Sequence, residues 1–271
     1  MTSSDALFGA PLLESPQRSA RSLSSRVLVI TDGMGVPGEP AWSLSTGSAA
    51  VQSDAGLATA AAMASPTTLE ALLACVLSAV PAGALALQLR NRTLPTAALL
   101  ERARSLRALT WRYGAPLLIN DRLDVALAVE ADGVHLPGQG LPPQIVRRWL
   151  GERLLICAAA HSLAEARLLA QAGADAVTLS PIWPTPSKPE LPIEKGGVQP
   201  LGLHVLAQAA RSLPVPVFAL GGIDRVERVA ACAAAGARVA CIRALLSPSS
   251  DAAGLRAAAF VAAATAASLQ G

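Results

Sequence analysis

Aromatic residues are nearly missing from this chain, at 3% of 271 residues, and no basic cluster is interleaved with them. A surface that stacks successive bases needs both, so nucleic acid is not an expected partner. Charge is sparse as well: 15% of residues carry one, and the formal net charge of +3 comes from scattered arginines. That mild balance suits small anionic metabolites. The four cysteines, Cys75, Cys157, Cys232 and Cys241, form no CxxC pair and show no metal-ligand spacing. Each lies in an apolar run, so buried reduced thiols and a cytoplasmic location are expected. The opening Met-Thr-Ser-Ser-Asp has neither the basic nor the apolar region of a signal peptide. The uncharged run from Ala71 to Leu89 is long enough to span a bilayer. Pro81-Ala-Gly83 divides it, however, and it reads as a buried helix followed by a buried strand, with no membrane partner.

What is abundant is apolar: 52% of the residues, ample for a core. Residues 1–25 are rich in Ser and Arg without periodicity and read as a disordered tail. Residues 26–271 read as a single domain, with a low-complexity loop at about 33–66. Apolar runs of strand length lie at 27–31 and at about 84–88, 116–119, 133–136, 154–157, 175–179, 216–219 and 239–242. Helical patterns separate them, over 68–79, 96–112, 121–130, 143–151, 162–172, 201–212, 224–235 and 251–268. Capping residues open several, and Gly151, Gly173 and Gly236 stand where helices end. Continuous apolar strands alternating with helices imply a parallel sheet covered on both faces. Eight such units in this length predict an α/β fold of the (β/α)₈ TIM-barrel class.

Active sites of such barrels lie at the C-terminal strand ends, with phosphate commonly bound after strands seven and eight. Read this way, strand two ends in Gln88-Leu-Arg90 and Arg92, strand three in Asn120-Asp-Arg122, and strand four in His135. Strand five leads into His161-Ser162, strand seven ends in Gly221-Gly222, and strand eight ends at Ile242. After strand six comes Ser180-Pro-Ile-Trp-Pro-Thr-Pro-Ser-Lys188, a loop stiffened by three prolines that offers Thr185, Ser187 and Lys188. It is expected on the catalytic face, opposite the Gly-Gly pair. Placed directly before a helix, Gly221-Gly222 can hold a phosphate through backbone N–H groups and the helix terminus. Arg90, Arg92, Arg122 and Lys188 would line the same rim and suit a polyanion. His161 is either a proton-transfer residue or simply a cap for the helix at Ser162, and His135 is equally a packed histidine. His204 reads as a surface residue.

At these residues the chain resembles the thiamine phosphate synthase/TenI family. The motifs are Ile30-Thr-Asp32, Gln88-Leu-Arg90, Ile119-Asn-Asp-Arg122, Ala131-Asp-Gly-Val-His-Leu136, the Ser180–Lys188 loop and Gly221-Gly-Ile223. The resemblance implies a barrel acting in thiamine biosynthesis on a phosphorylated thiazole. Phosphate would be anchored at Gly221, Gly222 and Ile242, with Gln88, Arg90, Arg92, Asn120, Arg122, Thr185 and Ser187 around it. The family's synthases join hydroxymethylpyrimidine diphosphate to thiazole phosphate and release pyrophosphate with Mg²⁺, one carboxylate of whose site matches Asp121. Their other motif residues depart here: Asn91 stands for Glu, Arg92 for Lys, Gly140 for the second metal Asp, and Ala159 for Ser. Arg243 replaces a small residue beside the phosphate. TenI-like tautomerases instead shift a proton on a carboxylated thiazole phosphate, with no cofactor and a histidine at the His161 position. Intact His161 and the lost carboxylate favour that branch, with His161 and Lys188 as its catalytic residues. The alternatives are a synthase with a weakened Mg²⁺ site, and a non-catalytic phosphate-ligand binder. A homo-oligomer is compatible with either enzyme.

Overall fold

The computed structural model describes residues 23–32, 69–185, 199–246 and 250–266. Eight strands alternate with eight helices: β1 (Val27–Asp32), α1 (Leu69–Ser78), β2 (Leu85–Arg90), α2 (Thr96–Arg112), β3 (Leu117–Asn120), α3 (Leu123–Ala128), β4 (Gly133–Leu136) and α4 (Pro143–Leu150). The second half runs β5 (Leu155–Ala160), α5 (Leu163–Gln171), β6 (Ala176–Leu179), α6 (Gly202–Ser212), β7 (Val217–Ala219), α7 (Val226–Ala234), β8 (Arg238–Cys241) and α8 (Ser250–Ala266). All strand pairs are parallel and follow chain order, and β1 pairs with β8 from Val27↔Val239 onward, closing the barrel. The (β/α)₈ expectation holds. The Ala71–Leu89 run divides between α1 and β2, and no helix among the described residues is long and apolar enough to cross a membrane.

Alternation along each strand splits the core in two. Val27, Val29, Leu85, Leu87, Leu117 and Ile119 face the helices, whereas Leu28, Ile30, Ala86, Leu118, Cys157, Ala176, Phe218 and Ala240 fill the barrel. One step of two further along the same strands, the inward side turns polar: Gln88, Asn120, His135 and Thr178. The apolar plug is therefore floored by polar groups at the C-terminal end of the barrel, and that change of character positions the site. Cys157, Cys232 and Cys241 are buried, and burial pushes each thiol up to about 12, so they stay protonated and inert.

At the opposite end two matching clamps tie strand to helix. Asp132 accepts from the Leu117 N–H at 2.9 Å and from Arg107 at 2.6 Å. Asp175 does the same for the Ile156 N–H at 2.7 Å and for Arg147. Both follow an Ala-Asp-(Gly/Ala)-Val step into a strand.

Some boundaries move. Leu23 and Ser25, assigned by sequence to the tail, are buried, and Ser25 donates to the Gly83 carbonyl at 2.8 Å. The rest of the tail and the loop at 33–66 lie outside the described residues. Strand β5 runs on through Ala158-Ala-Ala160 because Ala159 and Ala160 pair with Thr178 and Leu179 of β6. Helix α3 opens at Leu123, not Asp121, whose φ of 65° lies outside the helix.

Candidate active site

Three adjoining cavities cross the C-terminal mouth. The central one, about 560 Å³, is lined by Gln88, Arg90, Arg92, Asn120, His135, His161, Thr185, Gly221 and Ile242 among others. A smaller one, about 260 Å³, adjoins it at Thr185, Gly221, Gly222, Ile223 and Ile242. On the other side a cleft of about 420 Å³ shares Arg92 and Asn120 with the centre and adds Asp121 and Arg122. Ser187 and Lys188 lie outside the described residues.

The Gly-Gly turn is built differently from the sequence expectation. Helix α7 begins at Val226, with three residues between it and the pair, so the helix terminus does not directly adjoin the turn. Nor does the loop after β6 lie opposite it, since the two are stitched edge to edge. The Ile182 N–H donates to the Leu220 carbonyl at 2.9 Å and the Trp183 N–H to the Gly221 carbonyl at 3.2 Å. In a trans peptide the carbonyl and the following N–H point in opposite directions. With both carbonyls held by the loop, the N–H groups of Gly221 and Gly222 turn away from it. Neither finds an acceptor among the described residues, and nor does that of Ile223. Successive N–H groups without an acceptor among the described residues, lining a small cavity, can receive an anion. Glycine is required at both positions: φ is 98° and 69°, and a Cβ would stand 2.8 Å from Pro181 Cβ or 2.7 Å from the Pro184 carbonyl oxygen.

Across the mouth, Arg90 and Arg92 crowd each other. Burial, and then the charge of Arg92, lower the Arg90 pKa. Arg122 does not join them. It forks onto Asp124 at 2.8 and 2.5 Å and onto Thr96 at 3.2 Å, and that bond to Asp124 raises its own pKa. It lines the outer cleft beside Arg92 and Asn120, sharing its charge with Asp124. Asp121, by contrast, is lifted onto the rim by its left-handed φ, with its N–H on the His135 carbonyl at 2.9 Å.

His161 Nδ1 lies 2.8 Å from the Ser180 carbonyl oxygen. A carbonyl only accepts, so Nδ1 carries the proton and Nε2 is the basic atom of the neutral ring. The residue also takes part in a cap: Ser162 Oγ accepts from the Glu165 N–H at 3.1 Å, and Glu165 reaches back to the His161 N–H at 2.6 Å. Proton carrier and cap neighbour are compatible roles, since one uses the ring and the other the backbone.

The floor is polar and incompletely paired. Gln88 Nε2 donates to Asn120 Oδ1 at 3.1 Å, and His135 Nε2 meets Thr178 Oγ1 at 3.0 Å. Gln88 Oε1 and His135 Nδ1 are buried without a protein partner. Sequence reading passed over Thr178, although a hydroxyl at an inward position of an apolar strand is a legible signal. His204 is exposed on α6, as expected.

Burial, helped by Arg90, pushes His135 down to about 4, so the folded protein holds it neutral. The unfolded chain protonates it near 6.5 and the folded chain does not, so stability is lost as pH falls from about 6.5 to about 4. The loss from this residue is about 3 kcal/mol, at 1.36 kcal/mol per unit. Urea unfolding at pH 7 and pH 4.5 measures it: His135→Gln should flatten the dependence, and an unchanged slope would refute the assignment.

The family model described as thiamine monophosphate synthase matches residues 60–245. A putative thiamine-phosphate synthase of Geobacter sulfurreducens is 44% identical over 175 residues, covering 65% of this chain and 79% of that protein. The thiamine-phosphate synthase of Gloeobacter violaceus is 39% identical over 175 residues, covering 65% of this chain and 49% of its own length. Among solved structures, a thiamine phosphate pyrophosphorylase from Pyrococcus furiosus superposes with a TM-score of 0.66 at 24% identity, covering 89% of this chain and 95% of that one. At that identity it speaks for the fold. With a family model spanning most of the barrel and relatives well above 30% identity, the chain belongs to the thiamine monophosphate synthase family.

Proposed function

We propose that this chain joins hydroxymethylpyrimidine diphosphate to thiazole phosphate and releases pyrophosphate. The observation that carries this reading is the row of three cavities, with an anion turn at one end and paired arginines towards the other. An isomerase acting on one carboxylated thiazole phosphate needs room for that molecule alone, beside a proton carrier. Two anionic substrates need an anion site at each side and a shared space between. The names of the relatives support the same reading. It departs from the tautomerase that the sequence alone favours.

On this reading the thiazole phosphate rests on the N–H groups of Gly221, Gly222 and Ile223, beside Thr185 and Ile242. The pyrimidine diphosphate lies over Gln88 and Asn120 with its phosphates toward Arg90 and Arg92. The carbon–oxygen bond to the diphosphate breaks, its electron pair leaves with pyrophosphate, and the freed methylene carbon bonds to the thiazole. Charge gathers on the leaving group, where fixed guanidinium groups stabilise it without reorganising water.

Mg²⁺ keeps several waters and takes one or two carboxylates plus substrate phosphates. Asp121 supplies one carboxylate. Gly140 stands where a second would be, since a Cβ there would lie 3.0 Å from Asp121 Oδ1. No cluster of three or more His, Cys, Asp or Glu exists among the described residues. A single carboxylate with a substrate diphosphate suits this ion, so Asp121 would hold it, and when bound it would offset charge on the departing pyrophosphate.

The tautomerase reading keeps one specific observation in its favour, the basic Nε2 of His161 at the central cavity. The coupling reaction moves no proton through His161, whereas the tautomer shift depends on one. His161→Gln should leave thiamine phosphate formation within about tenfold of wild type. Loss of a general acid/base costs about 10²–10⁴-fold where the proton matters. Assaying both reactions, with and without Mg²⁺, decides between them. Metal-independent tautomerisation that dies with His161→Gln, and no thiamine phosphate, would overturn the synthase reading. Binding of thiazole phosphate with neither reaction would mark the chain as a binder.

A further inference from the structure

We infer that Arg228 is a positioning residue for the phosphate turn: it holds the peptide between Gly222 and Ile223 so that the Ile223 N–H faces the ligand. The inference rests on the phosphate reading of the Gly221–Ile223 turn and extends it to a residue outside the turn. Two of the three carbonyls in the turn are held by backbone donors of the neighbouring loop, Ile182 and Trp183. The third, that of Gly222, accepts instead from Arg228 Nη1. The peptide geometry that turns the N–H groups of Gly221 and Gly222 toward the cavity then applies to Ile223 as well. Without a donor on its carbonyl, a peptide next to a glycine at φ 69° can rotate, and its oxygen would then face the anion.

Arg228 is itself held in place. Its guanidinium lies 5.2 Å from the centre of the Trp183 ring, and Nη1 approaches Asp224 Oδ1 at 3.3 Å. It grows from the first turns of α7, so its base is rigid. The side chain thus fastens three parts together: the helix, the turn and the tryptophan of the β6 loop. Its charge stands behind the anion site, where it adds to the field of the N–H groups. Asp224 offsets part of that charge from an exposed position, and Trp183 contributes no charge.

The experiment uses inorganic phosphate as the probe, with binding followed by calorimetry and by the amide resonance of Ile223 in the full chain. Arg228→Met keeps the stem against Trp183 and removes the donor. It is expected to weaken phosphate binding about tenfold, the scale of one hydrogen bond to a charged group, and to abolish the phosphate-induced shift of the Ile223 amide. In the coupling reaction the KM for thiazole phosphate rises by the same factor and kcat is kept. Arg228→Lys, which still donates to the Gly222 carbonyl, binds within about threefold of wild type. A purely structural role would lower the melting temperature and leave affinity per folded molecule unchanged. Wild-type affinity in Arg228→Met overturns the proposal, as does an Ile223 amide that still responds. Where the Met protein does not fold, Arg228→Gln replaces it, and undiminished affinity there overturns the proposal equally. Failure of the wild type to bind phosphate at Gly221, Gly222 and Ile223 would instead refute the site reading beneath it.

Discussion

Gly222→Ala is expected to raise the KM for thiazole phosphate by two orders of magnitude or more. Two costs combine. The residue sits at φ 69°, and its new Cβ would lie 2.7 Å from both the Pro184 carbonyl oxygen and Trp183 Cβ. Neither neighbour can yield cheaply, since one is backbone and the other is fixed by the Trp183 N–H bond to Gly221. The turn must therefore move, and the N–H groups of Gly222 and Ile223 leave their places together. Each is a hydrogen bond to a charged group, about 1.5–3 kcal/mol, so losing two corresponds to roughly 10²–10⁴-fold. Steady-state kinetics across thiazole phosphate concentrations, beside a thermal melt, separates the lost ligand from lost folding. A folded Gly222→Ala protein with unchanged KM would remove the turn from the site.

Asp121→Asn is the second large effect. On the synthase reading, glycine at position 140 leaves Asp121 as the carboxylate that would hold Mg²⁺ among the described residues. Neutralising it should cut thiamine phosphate formation by about 10³-fold, in line with the several kcal/mol a metal contributes at a developing charge. The reciprocal change, Gly140→Asp, should lower the Mg²⁺ concentration needed for half-maximal rate about tenfold, since ligand charge sets affinity. It will cost some stability, because its Cβ would stand 2.9 Å from Pro137 Cδ and 3.0 Å from Asp121 Oδ1. Calorimetric titration with Mg²⁺ provides a readout apart from turnover. Unchanged synthesis in Asp121→Asn would sink the metal-assisted mechanism.

The barrel was legible because burial on both faces writes long apolar runs, and helices between them leave their own period. The strand ends were legible for the same reason, and they brought Gln88, Arg90, Arg92, Asn120, His161, Gly221 and Ile242 to one cavity. What stayed hidden depends on choices between partners. Asp224 is a good helix-capping type, so α7 was expected to begin there, yet its carboxylate pairs with Arg225 and Arg228 and the helix waits until Val226. Arg122 lies at the outer cleft as its strand end predicted, but its pairing with Asp124 two residues on could not be read from spacing. The three alanines closing β5 carry little strand preference of their own, and only pairing with β6 keeps them extended. Arg228 left no mark, since a helix arginine reads as solvated until its acceptor is known.

The stitching of the β6 loop to the β7 turn has a consequence for how such a barrel can change its chemistry over time. Among the described residues, the turn proposed to hold the phosphate is braced by the second half of the chain, through Ile182, Trp183 and Arg228. Of the residues that bear on which reaction runs, Ala159 and His161 belong to the second half as well, but Asn91, Arg92 and Gly140 belong to the first. Substitutions there can be sampled without loosening the grip on the shared ligand. A lineage can therefore drift from one reaction toward the other while every intermediate still holds its substrate, and a designer could graft new loops after β2 to β4 onto the same anchor.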